Sequence, residues 1–200
     1  MISPPLPSDL VGQTRFVALD FESAGSEPGF TDVPVQVGWA IMENMEVLPE
    51  TFFRSYLFIH RPVTWSARKV HGITNDDLHG APDMLQLWPK FKEELSGSVL
   101  VAHGAGTEKR YLRVFPYHPF KTWIDTLQLA KAAFPNCPDY SLSALIQYVN
   151  LEEQVRTFSP HGRWHDALHD AIASLVFLRF VIQEAKFEQR ELRVLLSPEK

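Results

Sequence analysis

Phe16-Val17-Ala18-Leu19-Asp20-Phe21-Glu22 is an apolar, β-forming run that ends in two carboxylates one residue apart. In a strand, successive side chains take opposite faces, so Asp20 and Glu22 point one way and Phe21 the other. Two carboxylates on one face repel each other unless something neutralises them. Hard oxygen donors of this kind suit a divalent cation such as Mg²⁺ or Mn²⁺. A solvated strand end would produce the same triplet. What separates the two readings is whether the rest of the chain brings further ligands to this point.

Residues 15–20 read as a first strand, and residues 23–33, with Gly25, Pro28, Gly29 and Asp32, as a loop. Residues 35–42 alternate as a second strand and residues 51–59 as a third, with a turn at Glu43-Asn44 between them. Three consecutive strands on short links predict an antiparallel meander. Residues 62–80 read as irregular, with a helical turn near 75–78. Asp83 can cap a helix reaching about residue 95, in which Pro89 predicts a kink or a later start. Residues 98–103 form a short continuous apolar run, the pattern of a strand buried on both faces. Thr107 can cap a helix over 108–115, and residues 122–125 form a fifth strand, followed by a helix over 126–133. Ser141 caps a helix carrying Leu142, Leu145, Ile146 and Val149. The last helix runs over 166–184, with Ala167, Ala171, Leu175, Leu178 and Ile182 as its apolar stripe. The fold class is therefore α/β: a mixed five-stranded sheet, three antiparallel strands then parallel ones, flanked by helices. The predicted organisation is a Pro-rich flexible lead-in over 1–13, one domain over 14–190 and a tail over 191–200.

Composition narrows the function. A formal charge of −5 argues against a broad basic surface for long duplex, but leaves room for a local site whose field is set by bound metal. The 45% hydrophobic content and five Trp supply a sizeable core. The one cysteine, Cys137, excludes an intrachain disulfide and a cysteine zinc cage, which fits a reducing compartment. The first seven residues lack the basic and apolar regions of a signal peptide, and no run of about 18 apolar residues predicts a membrane span. A cytoplasmic location without membrane association is the expectation.

Helix-flanked strands place ligands at their carboxyl ends. Asp20 and Glu22 follow strand 1, Glu108 follows strand 4, and Asp170 lies in the first turns of the last helix, with His165 five residues before it. Phe16-Val17-Ala18-Leu19-Asp20-Phe21-Glu22-Ser23, Val70-His71-Gly72-Ile73-Thr74, Val101-Ala102-His103-Gly104-Ala105-Gly106-Thr107-Glu108, Ile124-Asp125-Thr126-Leu127 and His165-Asp166-Ala167-Leu168-His169-Asp170-Ala171 stand in this order. In that order and spacing the chain resembles the DEDDh, or DnaQ-like, 3′–5′ exonucleases of the ribonuclease H-like fold, over roughly residues 14–185. The resemblance implies two divalent cations, Mg²⁺ or Mn²⁺. Asp20 would bridge them, Glu22 and Asp170 would bind the ion carrying the attacking water, and Glu108 would hold the second. It implies His165 as general base, Phe21 and Ile73 against the terminal bases, and the main chain near Phe21–Ser23 on the 3′-hydroxyl. The substrate would be single-stranded or 3′-ended DNA or RNA, released as nucleoside 5′-monophosphates. The resemblance leaves open a homodimer and association with a polymerase. The sequence departs from the family at Glu108, where Asp is usual, and at Ser23-Ala24-Gly25, where Thr-Thr-Gly is commoner. The alternative is therefore a weak or silent nucleic-acid- or protein-binding module on the same fold.

Blander readings compete at several residues. Asp170, His165 and Glu108 also suit helix ends, where the dipole favours a carboxylate. His161, His165 and His169 fall four apart, as a zinc-binding helix face would have them, but Pro160 and Gly162 oppose a helix there and Asp166 stands where H-E-x-x-H needs Glu. Arg68, Lys109, Arg110 and Arg113 read either as phosphate contacts or as solvated charges. His71 reads as a loop-ordering residue, Asp125 as a cap, His103 as a buried, bonded histidine and Cys137 as an incidental loop residue.

Overall fold

The computed structural model describes residues 4–196. The strands are β1 (Phe16–Ser23), β2 (Pro34–Glu43), β3 (Glu46–Val47), β4 (Phe53–Tyr56), β5 (Val99–Ala102) and β6 (Trp123–Asp125). The helices are α1 (Trp65–His71), α2 (Trp88–Leu95), α3 (Gly106–Leu112), α4 (Thr126–Ala133), α5 (Leu142–Tyr148), α6 (Glu152–Phe158), α7 (Ala167–Glu184) and α8 (Arg193–Leu196). The sheet order is β3-β2-β1-β5-β6, with β4 also on β2. β1 runs antiparallel to β2 and parallel to β5, and β5 runs parallel to β6.

Period two along β1 sorts the core. Phe16 and Ala18 join the apolar residues of α4, α5 and α7 on one side of the sheet. Val17, Leu19 and Phe21 join Phe91 and Leu95 of α2 and Tyr111 and Leu112 of α3 on the other. Asp20 and Glu22 continue the first row, on the α7 side. β5 is buried at every position, as its unbroken apolar run predicts. α7 is buried nearly all round and lies across β1 and β2. Its first turn comes unusually close: a Cβ on Gly38 would stand 2.2 Å from the Leu168 nitrogen and 2.4 Å from the Ala167 carbonyl carbon. Gly38 is the register partner of Asp20, so the missing side chain is what lets α7 start beside the carboxylates.

The α/β class and the antiparallel-then-parallel order match the sequence reading, but the sheet has six strands, not five. The strand expected over 51–59 shortens to β4, and the unexpected strand β3 precedes it, the two separated by a short 3-10 turn (Pro49–Thr51). β1 runs on to Ser23, so the two carboxylates sit within the strand rather than beyond it. α2 begins late, with Pro89 in its first turn, where its lost N–H costs nothing. α3 begins at Gly106, ahead of the cap expected at Thr107. α1 occupies part of the stretch read as irregular, capped by Thr64 and ended by Gly72 in the left-handed region.

The ends of the chain are also more ordered than expected. Leu10 bridges Glu191, the Val11 N–H donates to the Arg190 carbonyl, and the Leu192 N–H donates to the Asp9 carbonyl. Val11 and Leu192 are fully buried. The lead-in and the tail are thus partly one packed seam. The first three and last four residues of those predicted segments lie outside the described residues. Cys137 is a core residue rather than an incidental one, with its Sγ donating to the Asp139 carbonyl. Among the described residues no helix is long and apolar enough to cross a membrane.

Candidate active site

Three elements converge on the carboxyl end of β1. β1 itself presents Asp20 and Glu22, α3 presents Glu108 from its first turn, and α7 presents Asp170 from its first turn. Ligand atoms of Glu22, His165 and Asp170 lie within 4.8 Å of one another. The His165 N–H donates to Asp170 Oδ2 at 3.3 Å, and its φ of 64° turns the chain sharply just before α7. All five sequence-predicted residues of the cluster therefore sit at one end of the sheet.

The cluster is electrostatically unsatisfied. Loss of solvent, then the charges of Asp170, Glu108 and Glu22, hold the Asp20 carboxyl well above its ordinary range. Burial, then Asp170 and Asp166, push Glu22 up to about 8. Burial is also the main cause at Glu108 and at Asp170, each raised to about 7. Glu108 Oε2 and Asp170 Oδ1 are buried without a hydrogen-bond partner. Among the described residues no Lys or Arg forms an ion pair with any of the four. Buried carboxylates without partners are rare because the desolvation cost goes uncompensated. Orphaned acceptor oxygens, oxygen-rich donors and a histidine at the rim fit a divalent cation.

The surrounding residues hold this arrangement in place. The Ala167 N–H donates to Gln36 Oε1 at 2.8 Å, and Gln36 is the register partner of Glu22. Asp125 accepts from the Gly104, Ala105 and Leu127 N–H groups, which fixes the turn before α3 as well as the start of α4. Asp166 caps α7 through the Leu168 and His169 N–H groups and pairs with Arg54 at 2.7 Å. His71 accepts from the Ile73 N–H through Nδ1, so its Nε2–H donates to the Ser23 carbonyl at 2.9 Å. Burial lowers its pKa, which keeps it neutral. His103 is bonded at both nitrogens, to Thr126 Oγ1 and to the Tyr140 carbonyl. These are the structural roles the sequence assigned to Asp125, His71 and His103. Gln36 and Gly38 were missed. The signal was present in Val35-Gln36-Val37-Gly38-Trp39, where a polar residue and a glycine interrupt an apolar strand.

Other residues are placed differently from expectation. Phe21 is 6% exposed, with its ring 6.3 Å from Phe91 and 5.5 Å from Tyr111, and Ile73 is 2% exposed in a small apolar cluster. The faces expected to meet substrate bases are therefore occupied by packing. Ser23 keeps its place at the end of β1, where its carbonyl is held by His71. The three-histidine face does not form. α7 begins after His165, and buried His169 turns to Ser159 Oγ at 3.0 Å. Arg110 is engaged by Asp32, and Lys109 lies over the Trp123 ring.

A family model described as Exonuclease, of the RNase T type, matches residues 17–178. The chain belongs to this exonuclease family. It is 29% identical over 176 residues to the PolC-type DNA polymerase III of Thermotoga maritima, covering 85% of this chain and 12% of that protein. It is 27% identical over 162 residues to the DNA polymerase III subunit epsilon of Rickettsia typhi, covering 76% of this chain and 69% of that one. The chain thus spans about an eighth of the PolC relatives it matches. Among solved structures, an exonuclease X in complex with 5′-overhanging duplex DNA superposes with a TM-score of 0.72 at 21% identity, over 91% of this chain and 99% of that one. The nuclease domain of 3′hExo, a DEDDh family member bound to rAMP, gives 0.71 at 18% identity, over 92% and 98%. The mixed sheet and flanking helices of the chain are those of these structural neighbours.

Proposed function

We propose that this exonuclease works from the 3′ end, hydrolysing phosphodiesters of single-stranded or 3′-ended DNA or RNA to nucleoside 5′-monophosphates. The observation that carries the reading is the Glu22, Asp170 and His165 group beside Asp20, whose charged neighbours include Glu108, with buried oxygens of Glu108 and Asp170 left without partners. Asp20, Glu22, Glu108 and Asp170 are the ligands for two divalent cations, Mg²⁺ or Mn²⁺. When bound, such ions stabilise the attacking water and the leaving oxygen. An imidazole nitrogen of His165 takes the proton from that water, the new P–O bond forms, and the P–O3′ bond breaks. The 3′-oxygen leaves on the shortened strand. His165 suits the task because imidazole titrates near neutral pH and because its backbone is tied to Asp170. The Phe21–Ser23 main chain, whose last carbonyl is held by His71, is the surface offered to the terminal 3′-hydroxyl. Phe21 and Ile73 back that surface from within the packing.

The alternative, a silent binding module, turns on Glu108. Its charge reaches Asp20, and its free Oε2 is buried, as a ligand position would be. Both features favour the active reading. The Thermotoga maritima and Rickettsia typhi relatives carry the names of polymerase III proteins, which supports association with a polymerase. A homodimer is the other assembly to test, by sedimentation.

The decisive assay uses a 3′-labelled single strand with Mg²⁺ or Mn²⁺. The parent protein releases labelled mononucleotide, and His165→Ala or Asp20→Asn does not. Full metal-dependent activity in either variant would remove the catalytic assignment. Cleavage of a 3′-phosphate end or a circular strand at the rate of a free 3′-hydroxyl end would remove the polarity.

A further inference from the structure

α1 stands against the catalytic loop at both ends. At its start, the Thr64 N–H donates to the Ala24 carbonyl at 2.8 Å. Thr64 also packs so tightly on Gly25 that a Cβ there would lie 2.3 Å from Thr64 Oγ1. At its end, His71 donates to the Ser23 carbonyl, and Arg163 Nη2 donates to the His71 carbonyl at 2.9 Å. The helix is therefore rigidly coupled to the loop that follows Asp20 and Glu22.

Its outward face is unlike the rest of the surface. Trp65 is 71% exposed, whereas Trp39 is fully buried and Trp88, Trp123 and Trp164 are partly buried. Trp65, Arg68 and Lys69 are spaced i, i+3, i+4 and share one side of the helix. The Lys69 ammonium lies 4.0 Å from the Trp65 ring centroid. The helix carries no acid, in a chain whose formal charge is −5. Neither Arg68 nor Lys69 forms an ion pair within the described residues. An exposed indole, with Lys69 over one face of its ring and cations outside any ion pair beside it, matches a base and its phosphates, since stacking accepts any base and cations track the backbone.

We propose that the Trp65–Arg68–Lys69 face of α1 grips the single-stranded nucleic acid whose 3′ end enters the carboxylate cluster. One base stacks on Trp65, and Arg68 and Lys69 take flanking phosphates. The inference rests on the nuclease reading above and adds to it the surface that holds the strand outside the catalytic centre.

The test measures binding of 5′-fluorescein-labelled dT12 and U12 with Ca²⁺ in place of Mg²⁺, alongside hydrolysis of the 5′-p-nitrophenyl ester of thymidine monophosphate with Mn²⁺. Trp65→Ala should weaken binding of the labelled strand about 5- to 100-fold, the range of a base–aromatic stack. Trp65→Phe should restore most of it. Lys69→Ala should lower the slope of log affinity against log salt by about 0.7, one single-strand phosphate contact. Ester hydrolysis should stay at the parent rate in all three variants, because it is His71, at the other end of α1 from Trp65, that holds the Ser23 carbonyl. Unchanged strand binding in Trp65→Ala overturns the inference and leaves the face to a protein partner. Parallel loss of binding and ester hydrolysis also overturns it, since α1 would then be acting only as support. Trp65-dependent binding in a protein that hydrolyses nothing would keep this inference and remove the nuclease reading. Hydrolysis of strands indifferent to Trp65 would do the reverse.

Discussion

Two sets of acids occupy the same end of the sheet and have opposite fates. Asp125 and Asp166 are surrounded by donors: each caps a helix, Asp125 also ties the turn before α3, and Asp166 also pairs with Arg54. Asp20, Glu22, Glu108 and Asp170 have almost none, and each is pushed toward its protonated form. Residue type is shared, so the difference lies in partners. A carboxylate that caps a helix stabilises the fold. A buried one without a donor costs stability, and a fold retains such a group when something else supplies the missing charge. The two sets are also connected. The satisfied acids fix the turn before α3 and the first turn of α7, which are the segments that deliver Glu108 and Asp170.

Asp20→Asn should have the largest effect. It removes the carboxylate that feels all three others, so nuclease activity should fall by at least about a thousandfold, the equivalent of several kcal/mol of transition-state stabilisation. The same change should raise the melting temperature of the metal-free protein, because one repelling charge is gone. Removing a satisfied acid should lower it. If Asp20→Asn destabilises the metal-free protein, the carboxylates are not in conflict.

Gly38→Ala comes next. A Cβ at 2.2 Å from the Leu168 nitrogen has no room, and the atoms it meets are backbone. Overpacking of this kind costs about 1–3 kcal/mol, and displacement of the α7 start by about 1 Å would lower activity on the order of a hundredfold. Denaturant unfolding and single-turnover rates read the two effects. Wild-type stability together with wild-type rate would show that α7 need not touch β2 to place Asp170.

The third test is pH. Glu22 is raised to about 8, and Glu108 and Asp170 to about 7, so the folded protein holds protons there that the unfolded chain has released. Stability must then fall as pH rises through this window. In chelator, the melting temperature should climb as pH is lowered from about 8 toward the ordinary Glu value near 4.3. Saturating Mg²⁺ or Mn²⁺ should flatten that trend, and an equally steep trend with metal bound would argue against these groups as ligands.

The unsatisfied set was more legible in the sequence than its supports. Asp20, Glu22, Glu108, His165 and Asp170 are polar residues in or beside apolar strand and helix patterns, and their order gives the family. Phe16 to Leu19 and the unbroken run Val99 to Ala102 gave their strands by period and composition. α1 fell within the stretch read as irregular and α6 was given no element; the equally short α3 and α5 were legible because Thr107 and Ser141 signalled their starts. The pairing of Leu10 with Glu191 joins residues at opposite ends of the chain, and no local pattern encodes it. The resemblance implied Phe21 as a face for substrate, whereas strand alternation already sent it to the opposite side of the sheet, where it packs in the aromatic cluster with Phe91 and Tyr111. Gln36 and Gly38 do their work through the backbone of α7, a segment more than a hundred residues away, so the sequence marks them only as interruptions.

The smallest effects separate the two satisfied acids from each other. Asp125→Ala removes a helix cap and two further amide bonds at Gly104 and Ala105, so a loss of about 2 kcal/mol is expected, the upper end for a cap. Because those amides set the turn before α3, activity should fall with it and the metal dependence should shift toward higher concentration through Glu108. Asp166→Ala removes a cap and an ion pair whose Arg54 side chain is half exposed, so only the cap counts, at about 1 kcal/mol. The α7 start is still held by Gln36 Oε1 on the Ala167 N–H, and Asp170 should stay in place. The prediction is therefore an order: Asp125→Ala loses more stability and more metal affinity than Asp166→Ala, read by chemical denaturation and by Mn²⁺ titration of the rate. The reverse order would mean that α7, not α3, is the loosely held side of the carboxylate cluster.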